Sequence, residues 1–400
     1  MTASHTPGHP NDWDPTDEDF PDGLRGPAWV AELERLRGEC PVAYSDRFGG
    51  FWTLTRYADV VDAAVDHKGF RSGQQFLRMP DLLTIPGMLN PPEHAVYRRM
   101  LNKFFTQERM AALRPRILSL VAEHLDPILA RGSGDAVREF CQPLPARALA
   151  ALLNLGDDAH VELLENFVRL DETGWNPDAI NATIFAVFSQ SVRRVLAERR
   201  KAPLDPEQDL ISAAMAMEVD GVPASDEVIV AVGVSVIGAG HSTTADALSS
   251  IIFRLATDPY LQARLRREPA LIPDAVEEFL RLDAPLPELT RTTATPTEID
   301  GVTIPAGELV ALNFGAANLD PEAFPHPTAC IVDREFRRHL SFGHGVHKCV
   351  GAPLARLELI SAVDGLLSRT QGIALDGAAE NSAGLVLKGF ATLPIRVIPA

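Results

Sequence analysis

Phe342-Gly343-His344-Gly345-Val346-His347-Lys348-Cys349-Val350-Gly351-Ala352-Pro353-Leu354-Ala355-Arg356 sets one cysteine between a glycine-rich loop and the start of an apolar helix. Glycines at 343, 345 and 351 permit tight turns and close backbone approach to the sulfur, and Pro353 suits the first turn of the helix that follows. The unpaired amides at that helix start favour a negative sulfur. Such a loop presents a thiolate to a metal. Two blander readings compete with it. A lone cysteine is most often a small buried hydrophobe. His344, His347 and Cys349 could also be zinc ligands, but zinc sites gather Cys and His in two separated pairs, and neither Cys-x-x-Cys nor His-x-x-x-His accompanies this loop.

Composition narrows the setting. The chain has 400 residues, 46% hydrophobic and 23% charged, ordinary values for a soluble globular protein. We read no run of the roughly 20 apolar residues a membrane span needs; the longest candidate, Val228 to Gly240, stops at His241. Net charge is −17, which opposes binding to nucleic acid or to anionic membranes and leaves small molecules and proteins as partners. Residues 1–22 are polar, rich in Pro, Asp and His, and lack the basic start and apolar centre of a signal peptide; they read as a flexible lead on a cytoplasmic protein. Cys40, Cys141 and Cys330 are widely spaced and expected to be free thiols.

Periodicity predicts a mainly helical protein with small sheets, as one domain over residues 23–400. Apolar residues recur at three and four over Pro27 to Arg37, Tyr57 to Asp66, Pro92 to Phe105, Arg109 to Arg131 and Asp178 to Arg199. Strands are expected at Val42 to Tyr44, Phe51 to Thr55, Glu298 to Ile299, Val302 to Ile304 and Leu309 to Asn313, and the Pro-rich stretch Asn318 to Pro327 reads as an ordered loop. One long helix, Val228 to Leu255, is opened by Ser225, Asp226 and Glu227. Inside it, Gly238-Ala239-Gly240-His241-Ser242-Thr243-Thr244 puts two glycines and three hydroxyls where they weaken or divert the hydrogen-bond ladder. Such a run serves either close helix packing or a kink beside a ligand. His241 points about 100° away from its neighbour and reads as structural. Glu278 and Arg281 share one helix face at i and i+3. His94 and Arg98 lie one helical turn apart.

Read as Phe-x-x-Gly-x-x-x-Cys-x-Gly, the opening loop resembles the haem-ligand loop of the cytochromes P450, and the order of the other motifs along roughly His94 to Arg356 is similar to that family. The resemblance implies a helical bundle around a buried haem b, with Cys349 as axial ligand and Phe342, Gly351, Ala239 and Gly240 against the cofactor. It further implies that His94, Arg98, Arg291 and His347 hold the propionates, and that Glu278, Arg281 and Arg334 brace the cysteine loop. Thr243 matches the threonine that orients dioxygen and a water. Ser242 departs from the pattern, because the family usually has Asp or Glu there to assist proton delivery. Cys330 and Ile331 depart too, standing where many bacterial members have Phe and Asp. The expected pocket draws on Leu82, Leu83, Ile85, Phe167, Trp175, Ser235, Gly238, Pro287, Leu289 and Leu387, suited to an apolar substrate. No flavin or iron-sulfur sequence follows Cys349, so the resemblance implies a monomer served by a separate ferredoxin and ferredoxin reductase. They would dock near Lys348, Arg337, Arg338 and Arg99. Ser242 keeps a peroxide-driven peroxygenase open as an alternative, and a non-catalytic haem sensor or carrier is the reading from another class.

Overall fold

The computed structural model describes residues 26–77, 84–155, 177–335, 337–382 and 388–400, leaving aside the side chains of 177–187. They fall into two compact units. The first comprises the described parts of Met1–Leu82, Leu280–Cys330 and Glu335–Cys349; the second those of Leu83–Phe279, Ile331–Arg334 and Val350–Ala400.

The first unit is built on a five-stranded sheet ordered Val42–Ser45, Phe51–Leu54, Leu309–Asn313, Glu288–Thr293 and Phe70–Arg71. Val42 pairs with Leu54 antiparallel, Val310 with Trp52 in parallel, and Val310 with Arg291 antiparallel. Alternation divides each strand between two cores. Ala311 packs with Trp29, Leu33 and Leu36 of the helix Pro27–Glu39. Val310 and Leu312 pack with Val60, Ala63 and Ala64 of the helix Tyr57–Val65. The stretch Asn318 to Pro327 is an ordered run of turns, as expected: Asp320 accepts from the Tyr57 amide (2.8 Å), and Phe324 is buried.

The second unit is helical. The helices Gln107–Arg131, Pro143–Leu152, Asp226–Thr257 and Ala352–Ser368 carry most of it, and Gly233, Gly240 and Gly365 let them approach closely. A Cβ on these glycines would sit 2.7 Å from Val192, 2.7 Å from Leu149 and 2.6 Å from Val121. Arg199 and Asp209 form a buried ion pair at 3.1 Å, and Asp209 also accepts from the Ser212 amide at the start of the helix Leu210–Met215. Ser225 caps the long helix, accepting from the Val228 amide at 3.4 Å.

That helix corrects one expectation. It runs unbroken for 32 residues and is long and apolar enough to cross a membrane by length and composition, although 56% of its apolar window is buried inside the protein. The apolar run ends at His241, but the helix continues to Thr257, in keeping with the expected span Val228 to Leu255, and His241 is itself buried and paired. The two glycines of the run leave the helix continuous: Gly240 packs against Leu149, whereas no atom of the described residues lies within 4 Å of where a Gly238 Cβ would be.

Candidate active site

In the first unit, the cysteine loop is held by its own backbone. Gly343 N–H donates to Leu340 O (2.8 Å), Lys348 N–H to Gly345 O (3.2 Å) and Cys349 N–H to Phe342 O (2.8 Å). Gly345 has φ +67°, and a Cβ there would run into the Ala64 carbonyl. The result is an exposed thiol at Cys349, whereas Cys40 and Cys141 are buried; among the described residues none of the four cysteines is in a disulfide. A cysteine kept out of the core on a constrained loop is a ligand geometry rather than a packing one.

Arg281 and Asn318 fix the approach to this loop. Arg281 donates to the carbonyls of Asn318 (2.8 Å), Pro327 (2.6 Å) and Ala329 (3.3 Å). Asn318 accepts from Leu340 N–H (2.6 Å) and donates to Ser341 Oγ (2.8 Å), whose hydroxyl donates to Leu280 O (2.6 Å). Arg281 is thus linked to Leu340 and Ser341, just ahead of the loop, through Asn318. Burial, with Arg338 and Lys348 close by, lowers the affinity of the half-buried His344 for a proton. His347 is half-buried, and Phe342 lies against His339, ring centroids 5.7 Å apart. Pro287 O accepts from Gly315 N–H (2.9 Å), and Leu289 packs against the sheet core.

Arg291 is the informative base of this unit. It is 3% exposed, and among the described residues its hydrogen bond goes to the carbonyl of its neighbour Thr290 (2.7 Å), with no carboxylate beside it. Burial pulls its pKa down to about 10, so it remains charged at neutral pH. A buried cation without an acid is costly unless an anion joins it.

In the second unit, Glu278 accepts a fork from Arg334 (3.2 Å) and a bond from the Ile331 amide (2.9 Å). Ile331, where the family usually has Asp, therefore contributes its backbone, and Cys330 is exposed. His94 is buried and Arg98 half-buried, one turn apart on the helix Glu93–Asn102. On the long helix, Ser235, Gly238, Ala239 and Ser242 fall at i, i+3, i+4 and i+7, a single face. Among the described residues that face is open: Ala239 is exposed, Ser235, Gly238 and Ser242 are half-buried, and none of their atoms lies within 4 Å of where a Gly238 Cβ would be. Thr243 donates its hydroxyl to Ala239 O (2.7 Å), leaving the oxygen lone pairs to accept from a water. Leu82, Leu83, Phe167, Trp175 and Leu387 lie outside the described residues.

The cytochrome P450 family model matches residues 173–371. The chain is 34% identical over 364 residues to cytochrome P450 107B1 of Saccharopolyspora erythraea, a match covering 86% of this chain and 89% of that protein. The chain belongs to the cytochrome P450 family. It is also 33% identical over 401 residues to the 6-deoxyerythronolide B hydroxylase of the same species, covering 92% of this chain and 96% of the relative. The crystal structure of CYP108D1 from Novosphingobium aromaticivorans superposes with a TM-score of 0.83 at 28% identity, over 94% of this chain and 95% of that one. The protein is thus a P450 monooxygenase, an oxidoreductase with a haem iron cofactor, and the sensor or carrier reading is set aside. The residues present suit that group: Cys349 offers an exposed soft ligand, and Arg291 a buried cation in want of an anion such as a propionate.

Two features escaped the sequence. Ile85 N–H donates to Ser235 Oγ at 2.9 Å, a pairing across 150 residues that no local pattern announces. Glu358, in the helix after the cysteine loop, is 1% exposed, and burial pushes its pKa well above the usual carboxylate range; among the described residues Oε2 has no partner. The spacing Leu354, Glu358, Ser361, Gly365 would have put it on the packed face.

Proposed function

We propose that this P450, one haem domain over residues 23–400, inserts one oxygen atom from O2 into an apolar small molecule, with electrons from a separate ferredoxin and its reductase. The observation that carries the reading is the exposed Cys349 thiol on a loop whose conformation only glycine at 345 accommodates. Thiolate-bound haem b supplies the O–O cleavage and hydrogen abstraction when bound. The protein's own residues do the rest. Cys349 would be held as the iron's ligand by the hydrogen bond that its amide N–H donates to Phe342 O. Arg291, with His94, Arg98 and His347, would neutralise the propionates, while Phe342, Gly351, Ala239 and Gly240 would lie against the ring. Thr243 Oγ1, its proton committed to Ala239 O, accepts a hydrogen bond from a water and orients it. Ser242 can hold a second water, but a hydroxyl passes a proton on less readily than a carboxylate.

Substrate comes from the same open face: Gly238 and Ala239 leave room for a terpenoid, aromatic or polyketide-like compound. The hydroxylase name of the S. erythraea relative supports hydroxylation as the outcome. Arg337 and Arg338 are exposed beside Tyr57 in the first unit, where with Lys348 they offer an acidic ferredoxin a basic surface on an acidic, cytoplasmic, monomeric enzyme. Arg99 is exposed on the second unit. Ser242 favours one second reading, a peroxygenase, which faster product formation with hydrogen peroxide than with ferredoxin and NAD(P)H would reveal. The decisive test of the main reading is the spectrum of the reduced, carbon-monoxide-bound protein. The wild type should show the thiolate band and Cys349→Ser should lack it; a band retained by the variant refutes the ligand.

A further inference from the structure

The long helix treats its hydroxyl side chains in two ways. Thr243 donates to Ala239 O, Ser249 and Ser250 to Asp246 O, and Thr257 to Phe253 O, the usual habit of a hydroxyl that bonds back to its own helix. Ser235 does not. Its oxygen accepts from the Ile85 amide at 2.9 Å, and among the described residues its proton is donated to nothing. The Ile85 bond holds the Ser235 oxygen in place from the loop side, while the hydroxyl hydrogen remains free to turn. Ser235 heads the open face that continues through Gly238 and Ala239 to Ser242, and both Ile85 and Leu89 pack against the apolar cluster of this unit. A polar group at the rim of an apolar cavity fixes the orientation of what enters it.

We infer that Ser235 is the polar anchor of the substrate site. Resting on the monooxygenase reading, the inference narrows the substrate: an otherwise apolar molecule carrying an acceptor oxygen, as in a ketone, lactone or ether, that takes the Ser235 proton. The anchor lies two helical turns, roughly 10 Å, from the Ser242 and Thr243 end of the face. The carbon to be oxidised then lies about that far from the acceptor oxygen. An unfunctionalised hydrocarbon or a cation is the wrong ligand.

The test uses the haem-loaded protein, two rigid probes of suitable length, and binding by calorimetry rather than turnover. Androstanone carries a ring ketone; androstane is the same skeleton without it. Wild type should bind androstanone about five-fold tighter or more, the weight of one hydrogen bond. Ser235→Ala should erase that preference and Ser235→Thr, which keeps the hydroxyl, should retain it. Hydrogen exchange at the Ile85 amide should quicken in Ser235→Ala and not in Ser235→Thr. No ketone preference in the wild type, a preference that survives Ser235→Ala, or an equal loss of both steroids each overturns the anchor; the last shows a hydroxyl that only holds the loop. The carbon-monoxide spectrum of the same preparation separates the two levels. A missing thiolate band sinks the oxygenase reading and the anchor with it, whereas an intact band without ketone preference sinks the anchor alone.

Discussion

Gly345 in the cysteine loop and Gly238 on the long helix are the same residue used for opposite reasons. At Gly345 the backbone is left-handed and pressed against the Ala64 carbonyl, so a side chain is forbidden by both torsion and space. At Gly238 the backbone is ordinary helix and no atom of the described residues lies within 4 Å of where a Cβ would be, so none of them forbids a side chain. The first glycine serves the polypeptide; the second, on the proposed function, serves what is to be bound. The same substitution at each breaks the symmetry most plainly. Gly345→Ala should lower stability by about 3 kcal/mol and loosen haem, since strain and a backbone clash combine. Gly238→Ala should raise stability by up to about 1 kcal/mol through helix propensity, while shrinking the site. Denaturant melts of both variants check this, and losses of equal size would remove the distinction.

The two units also differ in how they bury a base. His241, in the second, passes a hydrogen bond between Nε2 and Gln142 O (3.0 Å) just past the π-helical turn Val137–Cys141; burial depresses its pKa to about 3, so it is neutral at pH 7. Arg291, in the first, is still charged there. For His241 the folded pKa lies below the unfolded value of about 6.5, so the unfolded chain takes up the proton first. Its contribution is complete above that pH and drains as pH falls toward 3. His241→Gln should therefore lose about 2 kcal/mol less stability than wild type between pH 7 and pH 5, read from urea midpoints at the two values. For Arg291 the effect appears on the ligand instead. Arg291→Leu should release haem to a competing apoprotein about ten-fold faster, while the apoprotein itself is no less stable, because a buried unpaired charge has been removed. Unchanged release would detach Arg291 from the propionates.

These contrasts explain what could be read from the chain. Helices such as Tyr57–Val65, Gln107–Arg131 and Asp226–Thr257 and the strands Val302–Ile304 and Leu309–Asn313 were visible because their burial follows local period, which is a property of neighbours in sequence; Pro143–Leu152 and Pro259–Arg267 were not named from it. Glu288–Thr293 and Phe70–Arg71 were not, since ladder partners far along the chain make them strands. Cys349 was legible because its loop needs glycine at fixed offsets. Arg281 was legible as a motif, but its carbonyl partners at 318, 327 and 329 were not. The Ser235 bond to Ile85 was invisible for the same reason. Sequence spacing reports a side chain's face and is silent about what tertiary contact brings to that face.

Ser242 is the smallest and finest test of the contrast between a loop fixed by its backbone and a face left open. It is half-buried, and among the described residues a longer side chain has space, because Gly238, one turn earlier on the same face, meets none of their atoms within 4 Å. Ser242→Asp should thus fold normally and add an acid next to Thr243, whose own proton is already committed to Ala239 O. A carboxylate relays protons at neutral pH far better than a hydroxyl. The expected change is a few-fold shift in the peroxide released per NAD(P)H consumed, with any ligand that supports electron uptake, and little change in melting temperature. If peroxide release and turnover both stay as in the wild type, proton delivery does not pass through position 242. The open face would then be a binding surface alone, with Thr243 and its water carrying the proton work.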